Sequence, residues 1–136
     1  PVIAAQALIH PMLGLNLTQA SGGEQSDAPG LSKRAVSEYW RLYLGGAETT
    51  GDPYAAPLVG RDFAGLPPAL IHTAELDPLH DDGKIYAEHL SAAGTPTTYR
   101  CAERMIHGFT RARFEGPDVA SEFDFICDFL KQHLIV

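Results

Sequence analysis

The sequence reads as an α/β fold built on a parallel sheet, and three observations carry that reading. Segments of strand and helix texture alternate as strand, helix, strand, helix, strand, helix. That order implies parallel strands covered by helices through right-handed crossovers. The first strand-like run, at 2–9, is apolar without alternation, as expected where both faces of a sheet are covered. The second, in PPALIHTAELDPLHDDG at 67–83, ends abruptly in carboxylates. In open α/β sheets, ligands and reacting groups collect just beyond the carboxyl ends of the strands.

Composition narrows the class. The chain has 136 residues, one domain's worth at most, and at 45% hydrophobic and 20% charged it is globular rather than disordered. A formal net charge of −7 with no basic patch argues against nucleic acid as a partner. No apolar run approaches the ~20 residues of a membrane span. Two cysteines, Cys101 and Cys127, do not make a disulfide framework and read as small, buried or half-buried residues.

The elements follow in order. Residues 2–9, VIAAQALI, form the first strand, stopped at His10-Pro11. Residues 12–30, with Gly14, Gly22, Gly23, Pro29 and Gly30, form a loop. Ser32 is placed to cap a helix running to about Gly45, with Val36, Trp40 and Tyr43 at helical spacing and Gly45-Gly46 as its stop. Residues 47–66 are a linker with Pro53 and Pro57. A strand at 67–75 runs into the acidic loop. From Asp81 or Asp82 a helix runs to about Ala93, with Ile85, Tyr86, His89 and Leu90 on one face and Gly94 beyond its end. Its acidic start suits the positive end of the helix dipole. TPTTYRCA at 95–102 alternates and is β-branched, hence a strand. ERMIHGF follows as a short loop, and 118–134 as an amphipathic helix bearing Val119, Phe123, Ile126, Phe129, Leu130 and Leu134 on one side.

Three strands make a small sheet. The first strand has the apolar texture of one with neighbours on both sides, yet nothing remains in the chain to pair with its second edge. An uncovered apolar edge is a liability that natural domains avoid. The chain also opens Pro1-Val2-Ile3, as if inside an element. The expectation is a C-terminal portion of a larger α/β domain. By itself its first strand would self-associate or pair with the missing N-terminal half.

Chemistry concentrates at two strand ends. Asp77 follows one strand, and His107 lies 30 residues on, after the next. One strand–helix–strand unit spans about that distance, so both emerge at the same sheet edge. A carboxylate beside an imidazole selects its tautomer and readies the other ring nitrogen as a general base. Spacing alone leaves two readings open, since a strand-end Asp also serves as a cap or loop ligand. His72, His80 and His89 with Asp77, Asp81 and Asp82 raise the question of a metal, but no spacing matches a metal motif, and none is expected. Trp40, Tyr39 and Tyr43 are expected to pack, with contact to an acyl chain as the alternative. Phe109 either lines a pocket or plugs it.

These stretches carry a resemblance. YWRLYLGG at 39–46, GDPYAAPL at 51–58, GLPPALIHTAELDPLHDDG at 65–83, IYAEHLSAAGTP at 85–96 and MIHGF at 105–109 resemble, in order and spacing, the C-terminal half of a hormone-sensitive-lipase-like esterase of the α/β-hydrolase fold. The resemblance runs along nearly the whole chain. It implies a carboxylic ester hydrolase acting on a small acyl ester, with Asp77 as triad acid, His107 as triad base and no cofactor. Asp81 falls where the family has an acidic residue that would hold the loop, and Glu75 would be a loop hydrogen-bond or charge partner. Other hydrolases of the wider fold, peptidases and dehalogenase-like enzymes, also place an acid and a His after late strands. The Asp-Pro-Leu and His-Gly-Phe contexts favour the esterase branch.

The departure from the pattern is equally plain. The G-x-S-x-G elbow that carries the family's nucleophile is absent, and so is its His-Gly-Gly-Gly oxyanion motif. Ser21 precedes Gly22-Gly23 but sits in a loop and forms no elbow. Both motifs belong upstream in such enzymes, so the isolated chain is expected to be inactive. The competing reading is a binding or assembly module that keeps the fold without the reaction.

Overall fold

The computed structural model describes residues 3–14 and 28–134. Most of the expected 12–30 loop, Ser21 included, therefore lies outside the described residues. Three strands form one parallel sheet in the order β1-β2-β3: β1, Gln6–Ile9; β2, Ala69–Leu76; β3, Thr97–Ile106. Three α-helices accompany them among the described residues: α1, Lys33–Tyr43; α2, His80–Ala92; α3, Pro117–Leu134. Single 3₁₀ turns occupy Pro57–Val59 and Phe109–Ala112.

The central strand β2 owes its place to its two apolar faces. Ala69 and Ile71 pack with Tyr86, Ala87 and Leu90 of α2 on one side. Leu70 meets Ile126 and Phe129 of α3 on the other. Alternate residues thus feed two cores, and β2 has helices on both faces. Helix α2 lies unusually close to the sheet because its first turn carries Gly83, where a Cβ would clash with the Thr73 methyl. Its acidic residues Asp81 and Asp82 stand in the first turn, where the helix dipole favours them. Ser32 caps α1, its Oγ accepting from Ala35 N at 3.2 Å.

The strand expected at 67–75 runs Ala69–Leu76, and two other strand bounds move further from the sequence reading. Strand β1 begins at Gln6 rather than at residue 2, because pairing with β2 starts at Gln6↔Ala69. Strand β3 does not stop at 102. Its pairing shifts after Ala74↔Ala102 and resumes at Leu76↔Ile106. Glu103, Arg104 and Met105 thus stand opposite Glu75 alone. Bulges of this kind bend a strand and re-aim its side chains. Arg104 takes a left-handed φ of 59°, and its N–H donates to Glu75 Oε2 at 2.6 Å. The segment expected as a loop therefore continues the strand and delivers His107 at its end. Strand β1 pairs with β2 on one side only, among the described residues. No helix among them is long and apolar enough to cross a membrane.

Candidate active site

Each strand ends on the same sheet edge and presents one polar residue there: His10 after β1, Asp77 after β2 and His107 after β3. Asp77 is 1% exposed. Its two carboxylate oxygens have separate duties. Oδ1 accepts from Leu79 N at 2.9 Å, and the Asp77 carbonyl accepts from His80 N at 3.0 Å, which closes the loop into α2. Oδ2 accepts from His107 Nδ1 at 2.8 Å. That length is typical of a charge-assisted bond. With its Nδ1 proton committed to Asp77, the His107 ring keeps a lone pair on Nε2. Among the described residues nothing bonds to that nitrogen, and the side chain is 26% exposed.

The local chain explains the placement. Leu79, whose N–H holds Asp77, is buried in a cluster with Leu31, Val36, Trp40 and Ala56. Trp40 therefore supports the acid loop by packing, while Tyr39 and Tyr43 stay exposed. After His107, Gly108 takes a left-handed φ of 73° and turns the chain into the 3₁₀ segment. Phe109 is buried against Ala74 and Ala102, with its ring 5.2 Å from that of His10. It fills the floor beneath the histidines.

Three residues join the site that the sequence reading did not select for it. His10 is buried, and its Nδ1 lies 3.7 Å from Asp77 Oδ2. Burial lowers its pKa from 6.5 to about 4, outweighing the opposing pull of Asp77; His107 and His72 push it further down. The ring is therefore neutral near pH 7. Asp82, also buried, accepts from Leu13 N at 2.9 Å and Gly14 N at 2.8 Å, so it ties the segment after β1 to α2. Burial raises its carboxyl above the ordinary range against these two bonds. Glu122 of α3 reaches under the sheet to His72 Nε2 at 3.0 Å and is held from outside by Arg100. Burial alone would raise Glu122; the hydrogen bonds from Arg100 and His72 win and hold it below its usual value. Burial lowers the pKa of His72, so that ring is neutral and donates to Glu122.

The residues expected from sequence are placed as follows. Asp77 and His107 come together. Asp81 accepts from His80 Nδ1 at 3.0 Å, and Asp82, one position on, holds the backbone of Leu13 and Gly14. Glu75 anchors the β3 bulge. His72, His80 and His89 do not converge: His72 meets Glu122, His80 also accepts from Tyr99 OH at 3.1 Å, and His89 stacks beside Phe63. Cys101 and Cys127 are half-buried free thiols. A signal for His10 was present in principle: a histidine directly at the end of a strand that must lie beside β2.

Comparison with known proteins bears on the fold and the family. The model of a family described as alpha/beta hydrolase fold matches residues 1–111. Carboxylesterase NlhH of Mycobacterium tuberculosis is 34% identical over 123 residues, covering 88% of this chain and 39% of that protein. Esterase LipI of the same organism is 37% identical over 110 residues, covering 80% of this chain and 34% of its own length. A thermostable esterase from Pseudomonas putida, of known structure, superposes with a TM-score of 0.94 at 31% identity, covering 100% of this chain and 44% of that one. The chain thus spans about two-fifths of the length of these relatives. A parallel sheet with helices on both faces, an acid and an imidazole at adjacent strand ends, and these matches place the chain in the α/β-hydrolase fold family, among the carboxylesterases of the hormone-sensitive-lipase type.

Proposed function

We propose that this chain is part of a serine carboxylic ester hydrolase in which Asp77 is the triad acid and His107 the triad base. The nucleophilic serine and the oxyanion donors are supplied by residues outside these 136. The observation that carries the reading is the 2.8 Å bond from His107 Nδ1 to a buried carboxylate, together with an Nε2, on a partly exposed ring, that no described residue bonds. His107 Nε2 takes the hydroxyl proton as the serine oxygen attacks the acyl carbon, and later returns it to the departing alcohol. Asp77 holds the ring and stabilises the imidazolium between those steps. The substrate class is a short to medium acyl ester.

Without the serine, acid and base have nothing to activate, because triad members act as a unit. The isolated chain is therefore expected to hydrolyse no ester. A fluorophosphonate probe read by intact mass tests the assignment. It should label a longer polypeptide carrying the upstream half, and His107→Ala should reduce that labelling on the order of 10³-fold or more. Labelling of the 136-residue chain itself, or a longer form indifferent to His107→Ala, would refute it.

A further inference from the structure

Two imidazoles flank one carboxylate oxygen. Asp77 Oδ2 lies 2.8 Å from His107 Nδ1 and 3.7 Å from His10 Nδ1, and donor atoms of all three residues fall within 4.8 Å of one another. His10 is the member that the hydrolase reading does not use. It is only 8% exposed, yet neither of its ring nitrogens has a hydrogen-bond partner among the described residues. At 3.7 Å its approach to Asp77 is too long to be a hydrogen bond. A buried polar group left unpaired is destabilising by about 1–3 kcal/mol. His10 also holds a left-handed φ of 49°, uncommon for a side chain other than glycine.

We propose that His10, Asp77 and His107 form a site for a divalent transition-metal cation of the Zn²⁺ type. Two imidazole nitrogens and one carboxylate oxygen are a donor set that suits zinc, leaving a fourth position open. Tetrahedral ligands about 2.0–2.1 Å from zinc stand about 3.4 Å from one another. The observed separations of 2.8 and 3.7 Å bracket that value. The remaining motion is an approach of His107 to His10. The two rings are already 5.3 Å apart, and His107 is the more exposed of the two. The carboxylate is already oriented, since Asp77 Oδ1 is tied to Leu79 N.

The cation and the acid–base pair exclude each other. A metal on His107 Nδ1 takes the lone pair made available when the ring proton moves to Nε2. The imidazole stays neutral overall, but Nε2 becomes a donor and loses its capacity to accept the serine proton. Binding stands on the donor geometry alone. Inhibition, by contrast, rests on the hydrolase reading given above.

The test begins with the whole 136-residue chain, stripped of metal with a chelator and titrated with Co²⁺ by visible absorption, then with Zn²⁺ in competition. One cation per chain is expected. His10→Phe and His10→Asn should each weaken binding about 100-fold or more, and His80→Ala should leave it unchanged. Unaltered affinity in folded His10 variants, or no binding by the original chain at millimolar metal, overturns the site. If the variants fail to fold, ring ¹⁵N resonances of the original chain decide. Zn²⁺ must move those of His10 and His107, and shifts confined to His80, His89 or His133 sink the proposal. In a longer polypeptide with ester hydrolase activity, Zn²⁺ should inhibit and a chelator should restore. Binding in the absence of any such activity supports the site and counts against the hydrolase reading alone. Hydrolysis that persists with the site saturated refutes mutual exclusion.

Discussion

Two buried aspartates divide the work of positioning. Asp77 spends one oxygen on its own loop and offers the other to His107, so the loop cannot shift without moving the acid. Asp82 spends a single oxygen on two backbone N–H groups, of Leu13 and Gly14, from a segment far away in sequence. Asp82→Ala would leave both donors without their partner in a buried place. A loss of about 2–4 kcal/mol of stability is expected from urea unfolding, and a change below ~0.5 kcal/mol would contradict the role given to this carboxylate. Asp77 and His107 were legible in sequence because each follows a strand and one crossover unit separates them. The role of Asp82 was not legible from sequence spacing, since neighbours on a helix differ by about 100° in direction. Only the packed position of α2 shows that this carboxylate faces Leu13 and Gly14. His10 escaped for a related reason: nothing local says that a third strand end abuts the first two.

At the scale of elements, α3 is joined to the sheet by polarity as well as by Ile126 and Phe129. His72 sits in the middle of β2, fully buried, and meets charged or titratable groups from every neighbour: Glu122 from α3, Arg100 from β3, and His10 after β1. Burial keeps its folded pKa below 6.5, whereas the unfolded chain binds that proton near 6.5. Stability from this group is thus complete above about pH 7 and is lost as pH falls through 6.5 toward the lower folded value. His10 acts in the same direction, and Glu122, held below 4.5, extends the loss at lower pH. The melting temperature, measured with a chelator present, should be flat from pH 8 to 7 and fall below 6.5, as each group removes at most about 1.4 kcal/mol of stability per pH unit. His72→Gln should flatten part of that fall. A melting temperature that rises on acidification would contradict this account. The helices themselves were readable from caps and periodicity. The second half of β3 was not, because Glu103, Arg104 and Met105 have the texture of a loop, and only the pairing of Glu75 with the Arg104 backbone shows that the strand goes on.

For the molecule as a whole, the sheet ends at β1 on one side and at β3 on the other among the described residues, and the β1 edge is the apolar one. Strand β1 carries the apolar run of a strand meant for two neighbours but pairs with β2 alone among the described residues. Unpaired edges template association. The isolated chain should therefore form concentration-dependent dimers or larger species by light scattering, and a monodisperse monomer across the accessible range would count against an open edge. The carboxyl end of β3 obeys a stricter rule. The two surplus residues in the β3 bulge set how far His107 extends toward Asp77. Removing both would draw the imidazole back by about 6–7 Å, and removing one would turn it to the opposite face of the sheet. Glu103 and Arg104 are exposed, so their side chains bear little on the core. In this stretch the count of residues matters more than the side chains of Glu103 and Arg104: the bulge acts as a spacer, intolerant of a change in length and, at the left-handed Arg104, of β-branched residues.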